Sequence, residues 1–142
     1  MVKRFFYCMY LAFLLYIVWI MPSDIKPNPE INLVPLKTIH LYVTAFFHGY
    51  APIYVIIGNL IGNIVLFIPI GILFFKYLRQ IGLGLILFLS VYIPVFIEIV
   101  QLLLHFAEYR TRSIDVDDVL LNMLGIWIGY IVTFIVSTRR SG

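Results

Sequence analysis

The sequence predicts an all-α membrane protein, a bundle of four transmembrane helices with a short interfacial or re-entrant helix in the first outer loop. Three observations lead there. Hydrophobic residues make up 63% of the 142 positions and charged ones only 12%, against about 45–50% and about 25% in soluble domains. A chain this short buries too small a fraction of its surface to hide that much apolar area from water. The apolar residues also gather in four runs near the ~20 residues that a helix needs to cross a bilayer. Lipid is therefore the main solvent. A cytosolic enzyme, a secreted domain and a disordered tail are excluded, and the length fits one domain over residues 1–142.

The first run is Phe5–Met21, preceded by Lys3 and Arg4. A basic start and an apolar core resemble a signal peptide, but Met21-Pro22-Ser23-Asp24 holds no small-x-small cleavage site, so an uncleaved anchor is expected. Residues 22–52 then form a long outer segment. Pro22, Pro27 and Pro29 rule out regular helix at its start. After Pro35, the stretch Leu36–Phe47 is rich in aromatics suited to the headgroup zone and predicts the short interfacial or re-entrant helix. The second run, Ile53–Phe75, closes on Lys76 and Arg79. A tight turn at 76–80 makes the second and third spans antiparallel neighbours. The third run is Ile81–Phe106 and the fourth Val119–Ser137, closed by Arg139 and Arg140.

Basic residues set the orientation. With the amino terminus in the cytoplasm, that side holds Lys3, Arg4, Lys76, Arg79, Arg139 and Arg140, all at span ends, and the outer side holds Lys26, Lys37, Arg110 and Arg112. The positive-inside rule then places both termini in the cytoplasm. The net charge of +3 has no basic stripe behind it, so no nucleic-acid partner is expected. The single Cys8 can form no intramolecular disulfide.

Polar residues in hydrocarbon are costly and need a partner or a task. The second span carries Asn59 and Asn63, four apart, with Gly62 between them. Glu98, Gln101 and His105 share an arc of the third span with Pro94. Asp115, Asp118, Asn122, Gly125 and Gly129 form a stripe on the fourth at helical steps. By depth, these residues fall in the outer half of the bundle, so one cluster facing the outer leaflet is expected, with Arg112 as the natural partner of Glu98. Plainer roles exist for most of them. Asp115 and Asp118 suit helix capping, Asn59 and Asn63 interhelical hydrogen bonding, and Gly125-x-x-x-Gly129 a close helix contact. Glu98 is hardest to read as structure alone. Asp115, Asp117 and Asp118 have the carboxylate density of a divalent-metal site but also of a solvated face, and no metal or other cofactor is expected. The residues give little enzyme signal, with neither a nucleophile elbow nor a Gly-rich phosphate loop.

Read in order, these positions resemble the VanZ-like family of small bacterial membrane proteins. The stretches that carry the resemblance are Asn32-Leu33-Val34-Pro35-Leu36-Lys37-Thr38-Ile39, then residues 59–71 from Asn59 through Asn63 and Pro69 to Gly71, then Glu98-Ile99-Val100-Gln101, and last Arg112 through Gly125 with Gly129. Leu36 stands where a phenylalanine is expected. The resemblance implies an integral protein of the bacterial cell membrane, and links it through the name-giving member to low-level resistance to the glycopeptide teicoplanin. It implies no reaction. The functional expectation is a cell-envelope protein that lowers glycopeptide susceptibility by binding or modifying an outer-leaflet component in a polar pocket. Asn59, Asn63, Glu98, Gln101, Arg112, Asp115, Asp118 and Asn122 are the candidate ligand residues. The ligand would be a lipid headgroup, an envelope precursor or a lipoglycopeptide, and a homo-oligomer is compatible. Two alternatives stay open, an intramembrane enzyme on a lipid-linked substrate with Glu98 as acid or base, and a small transporter.

Overall fold

The computed structural model describes residues 2–21, 31–107 and 114–140, with side chains from Phe5 onward. Arg110 and Arg112 therefore lie outside the described residues, as do Asp24, Lys26, Glu30 and Glu108.

Helix α1 (Val2–Leu15) runs into one π-helical turn, Tyr16–Ile20. Strand β1 (Ile31–Asn32) and helix α2 (Lys37–His48) come next among the described residues. Then come α3 (Ile53–Leu78), α4 (Leu83–Phe106), strand β2 (Ile114–Asp115) and α5 (Val116–Arg139). Among the described residues α3, α4 and α5 are long and apolar enough to cross a membrane, whereas the first apolar helix, Phe5–Ile20, is shorter. The fold is an all-α membrane architecture with three helices of spanning length where the sequence suggested four. Lipid as solvent explains why Phe88, Val91, Leu103, Phe134 and Ile135 face outward.

Helix α5 is the centre of the bundle, packed along α3 and also against α4. The expectation that the second and third spans are close neighbours needs correcting. The turn after Leu78 joins α3 to α4, but the two helices touch only weakly. The reason is backbone access. A methyl group on Gly125 would stand 2.2 Å from the Ile64 carbonyl oxygen, and one on Gly129 2.0 Å from that of Ile68. From the other side, a methyl on Gly71 would meet the Ile126 carbonyl oxygen at 1.9 Å. The pairs 64 with 125 and 68 with 129 advance together, so α3 and α5 run parallel. Small residues that let two backbones meet are the main adhesive between helices in lipid, where no hydrophobic force separates helix from solvent. Above this seam Phe67 and Ile126 are fully buried, and Leu14, Ile70, Phe74, Ile86 and Ile97 complete the core.

Helix α1 is tied along the bundle at both ends. The Tyr10 hydroxyl donates to the Leu66 carbonyl at 2.7 Å, and Lys76 Nζ donates to the Tyr7 hydroxyl at 2.9 Å. At its far end Gln101 Nε2 donates to the Val18 carbonyl at 3.1 Å. In a continuing α-helix that carbonyl would look to residue 22, which is proline and has no N–H. The Gln101 amide supplies a donor to that carbonyl from α4.

Helix α2 sits where the sequence placed a short helix, yet none of its residues is buried, and Phe46 and Phe47 are exposed. It touches α3 and α5. In parallel register, Ile31–Asn32 pairs with Ile114–Asp115. This small ladder, which hydropathy does not signal, joins the segment before α2 to the start of α5 at one end of the bundle.

Candidate functional site

The site grows from an uncapped helix. The residue before α2 is Leu36, held in the left-handed region at φ 66°, and it offers no side-chain cap to the amides behind it. Those amides are orphan donors and need an acceptor from elsewhere. Asp117, near the start of α5, supplies it. One carboxylate oxygen accepts from Leu36 N, and the other accepts from Thr38 N at 2.7 Å and Ile39 N at 3.1 Å. A carboxylate at a helix amino terminus also gains from the helix dipole. The Asp117 side chain is 0% exposed. Both of its oxygens accept backbone amides.

Asp115 caps α5, its carboxylate accepting from Asp117 N at 2.9 Å, as its spacing in the sequence suggested. The same oxygen accepts from Asn32 Nδ2 at 2.9 Å, and that amide also donates to the Thr38 hydroxyl at 3.0 Å. Asn32 Oδ1 in turn accepts from Val34 N. Glu98 closes the set from α4, accepting from Asp115 N at 3.3 Å. Asn63 Nδ2 donates to Asp118 Oδ1 at 2.6 Å, tying α3 to α5. Four helices and the small ladder thus meet at one end of the bundle through Asn32, Asn63, Glu98, Asp115, Asp117 and Asp118. The Tyr42 phenol on α2 senses this cluster. Burial first, and then the carboxylates of Asp118 and Asp115, hold its proton more tightly than an ordinary tyrosine does.

Asn122 follows one turn after Asp118 and is 3% exposed. Its Oδ1 is buried and has no hydrogen-bond partner among the described residues, as is also true of Trp19 Nε1 and His105 Nδ1. Such an orphan costs about 1–3 kcal/mol unless something fills it, and native proteins keep few of them.

Asn59 does not join the cluster. It is exposed, and its amide donates to Val55 O one turn back on the same helix at 2.8 Å. Gln101 lies on the same α4 face as Glu98 but is spent on Val18. Arg112 is outside the described residues. His105 is seven residues from Glu98, about 10 Å along the axis, and its Nδ1 bonds neither to Glu98 nor to any other described residue. Among the described residues no group of three His, Cys, Asp or Glu is placed to hold a metal ion.

Two participants escaped the sequence reading. Asn32 was legible only as part of a motif, and Asp117 only as a surplus acid. The available signal was the start of α2 itself. A helix that follows Pro35 with leucine at its cap position must find an acceptor at a distance.

The family model described as VanZ/LLP1 matches residues 5–137 of the chain. No curated protein and no solved structure matches it.

Proposed function

The chain belongs to the VanZ/LLP1 family, and from that premise we propose that this membrane protein receives the polar head of an outer-leaflet lipid or lipid-linked envelope component at the acidic end of its bundle. In this reading α1 crosses the bilayer as a fourth, short span, both termini are cytoplasmic, and the cluster faces the outer leaflet of a bacterial cell membrane. Engagement of that component lowers susceptibility to glycopeptides, which act on cell-wall precursors outside the cell.

The observation that carries the proposal is the unpartnered Asn122 Oδ1, buried beside Asp118. A hydroxyl, amine or amide of an entering headgroup would satisfy it, and sugar and peptide portions of envelope precursors are rich in such donors. Glu98, buried at 7% exposure within an apolar helix, belongs to the same end. Arg112 is four residues before the start of α5. An arginine cannot shed its charge as a desolvated carboxylate can, so it is the group to meet a phosphate or carboxylate on the ligand.

Asn122→Leu separates a binding role from a structural one. Replacing an unsatisfied buried acceptor by an apolar side chain of similar volume is neutral or stabilising, so the variant should melt at or above the wild-type temperature in detergent. It should at the same time lose the resistance phenotype in a teicoplanin susceptibility assay. Glu98→Gln and Arg112→Ala should reach the membrane at normal levels and also lose it. If Glu98→Gln and Arg112→Ala express normally and keep full activity, the cluster is only structural adhesive.

Orientation has its own test. In a Cys8→Ser background, a cysteine at position 78 should react with a membrane-impermeant maleimide only after the cells are opened. Strong labelling from outside would reverse the orientation.

A further inference from the structure

At the opposite end of the bundle a groove of about 510 Å³ opens between α1 and α3, lined by Tyr7, Cys8, Leu73, Phe74, Tyr77 and Leu78. That volume lies in the range of roughly 300–1,000 Å³ typical of ligand sites. Its walls are almost wholly apolar, and it opens on the lipid-facing side of the helices. At its rim stands Lys76, in contact with two tyrosines. Its ammonium donates to the Tyr7 hydroxyl at 2.9 Å and lies 5.1 Å from the centre of the Tyr7 ring and 5.2 Å from that of Tyr77. The two rings meet edge to face at 6.2 Å. The ammonium also hydrogen-bonds the Tyr77 hydroxyl, so the two phenols leave one of its three N–H groups for an outside acceptor. Arg79 follows one turn later, its guanidinium 4.9 Å over the Phe75 ring.

Among the described residues no acidic side chain stands at this end to balance these cations. The seven acidic residues are Asp24, Glu30, Glu98, Glu108, Asp115, Asp117 and Asp118. The described ones all stand at the other end, and the sequence places none between residues 31 and 97 or beyond 118. Lys76, Arg79, Arg139 and Arg140 thus stand at an end of the bundle where no described side chain is a carboxylate.

We propose that this groove is a binding site for an anionic phospholipid. One acyl chain lies along Leu73, Phe74 and Leu78, and the phosphodiester accepts the remaining Lys76 N–H, with Arg79 beside it. Apolar walls alone would accept any lipid. The ammonium selects the headgroup, because it is placed at the tyrosine cleft and because basic pockets between membrane helices favour acidic lipids. This site is independent of the acidic end and of the function proposed for it.

The test is lipid retention by the purified full chain in detergent, read by native mass spectrometry. The chain is offered equal amounts of phosphatidylglycerol and phosphatidylcholine with identical acyl chains. Wild type should keep phosphatidylglycerol over phosphatidylcholine by roughly fivefold, the preference that one lysine near a headgroup supplies. Lys76→Gln should erase the preference and still bind both lipids weakly, whereas Lys76→Arg should keep it. Leu73→Trp, which fills the groove, should lower retention of both. Soluble glycerol phosphate should not displace the lipid, since the acyl chain is half of the site. Equal retention of the two lipids by wild type would overturn the proposal. So would an unchanged preference in Lys76→Gln, displacement by glycerol phosphate, or a lipid-free protein dimer that Leu73→Trp disperses.

Discussion

Asp117→Ala should destabilise the protein by about 4 kcal/mol, the largest effect of any single polar substitution in the chain. The carboxylate accepts three backbone amides at the start of α2, and hydrogen bonds to a charged group contribute about 1.5–3 kcal/mol each, a loss that water offsets in part because the start of α2 is partly exposed. Helix α2 has no buried residue to hold it otherwise. Its first turn should therefore come loose while α3, α4 and α5 stay folded. Hydrogen exchange reads this directly, since the amides of Leu36, Thr38 and Ile39 should lose protection in the variant and keep it in wild type. Asp117→Asn should fall between the two, because one of its atoms still accepts while the other presents N–H to N–H. Unchanged protection in Asp117→Ala would mean that something other than this carboxylate anchors the helix.

Gly129→Val should be comparably severe. A Cβ at this position would stand 2.0 Å from the Ile68 carbonyl oxygen, and the atom it meets is backbone, which cannot rotate aside. The α3–α5 seam would have to open along its length, at a cost of about 3 kcal/mol or more. Gly71→Val attacks the same seam from α3 and should behave alike. Gly62→Ala is the control. Nothing lies within 4 Å of a Cβ there, and alanine is the better helix former, so its thermal unfolding should match or exceed wild type. Equal melting temperatures for Gly129→Val and Gly62→Ala would show that the helices do not meet backbone to backbone.

Local composition made the helices legible and left their neighbours obscure. Continuous apolar runs mark α3, α4 and α5, and the aromatic stretch after Pro35 marks α2 within a residue of its bounds. The Gly125-x-x-x-Gly129 contact was equally readable, because only a close backbone approach explains two glycines at that spacing. Which helix fills the approach was not readable. A short turn argued for α3 against α4, but in lipid a turn only brings helices near, and it is the small-residue faces that decide which of them adhere. The split between Asn59 and Asn63 has a similar origin. Four residues on a helix are about 40° out of phase, enough to turn Asn63 onto Asp118 while Asn59 folds back on Val55. The Asp117 clamp joins positions some eighty apart in the chain and leaves no periodic trace, so only the missing cap at Leu36 hinted at it.

The buried acids and amides gather at one end of the bundle, and most of their hydrogen-bonding capacity serves to hold the outer segments in place. Asn122 departs from that pattern, as an acceptor deep in the structure with no described donor. The claim that this end receives a headgroup is tested most directly by an experimental structure of the protein in nanodiscs made from lipids of its own membrane. The account predicts non-protein density within hydrogen-bonding distance of Asn122 Oδ1, continuous with a chain extending into the outer leaflet. A closed interface there, with Asn122 Oδ1 bonded to a protein donor and no density beside it, would contradict it.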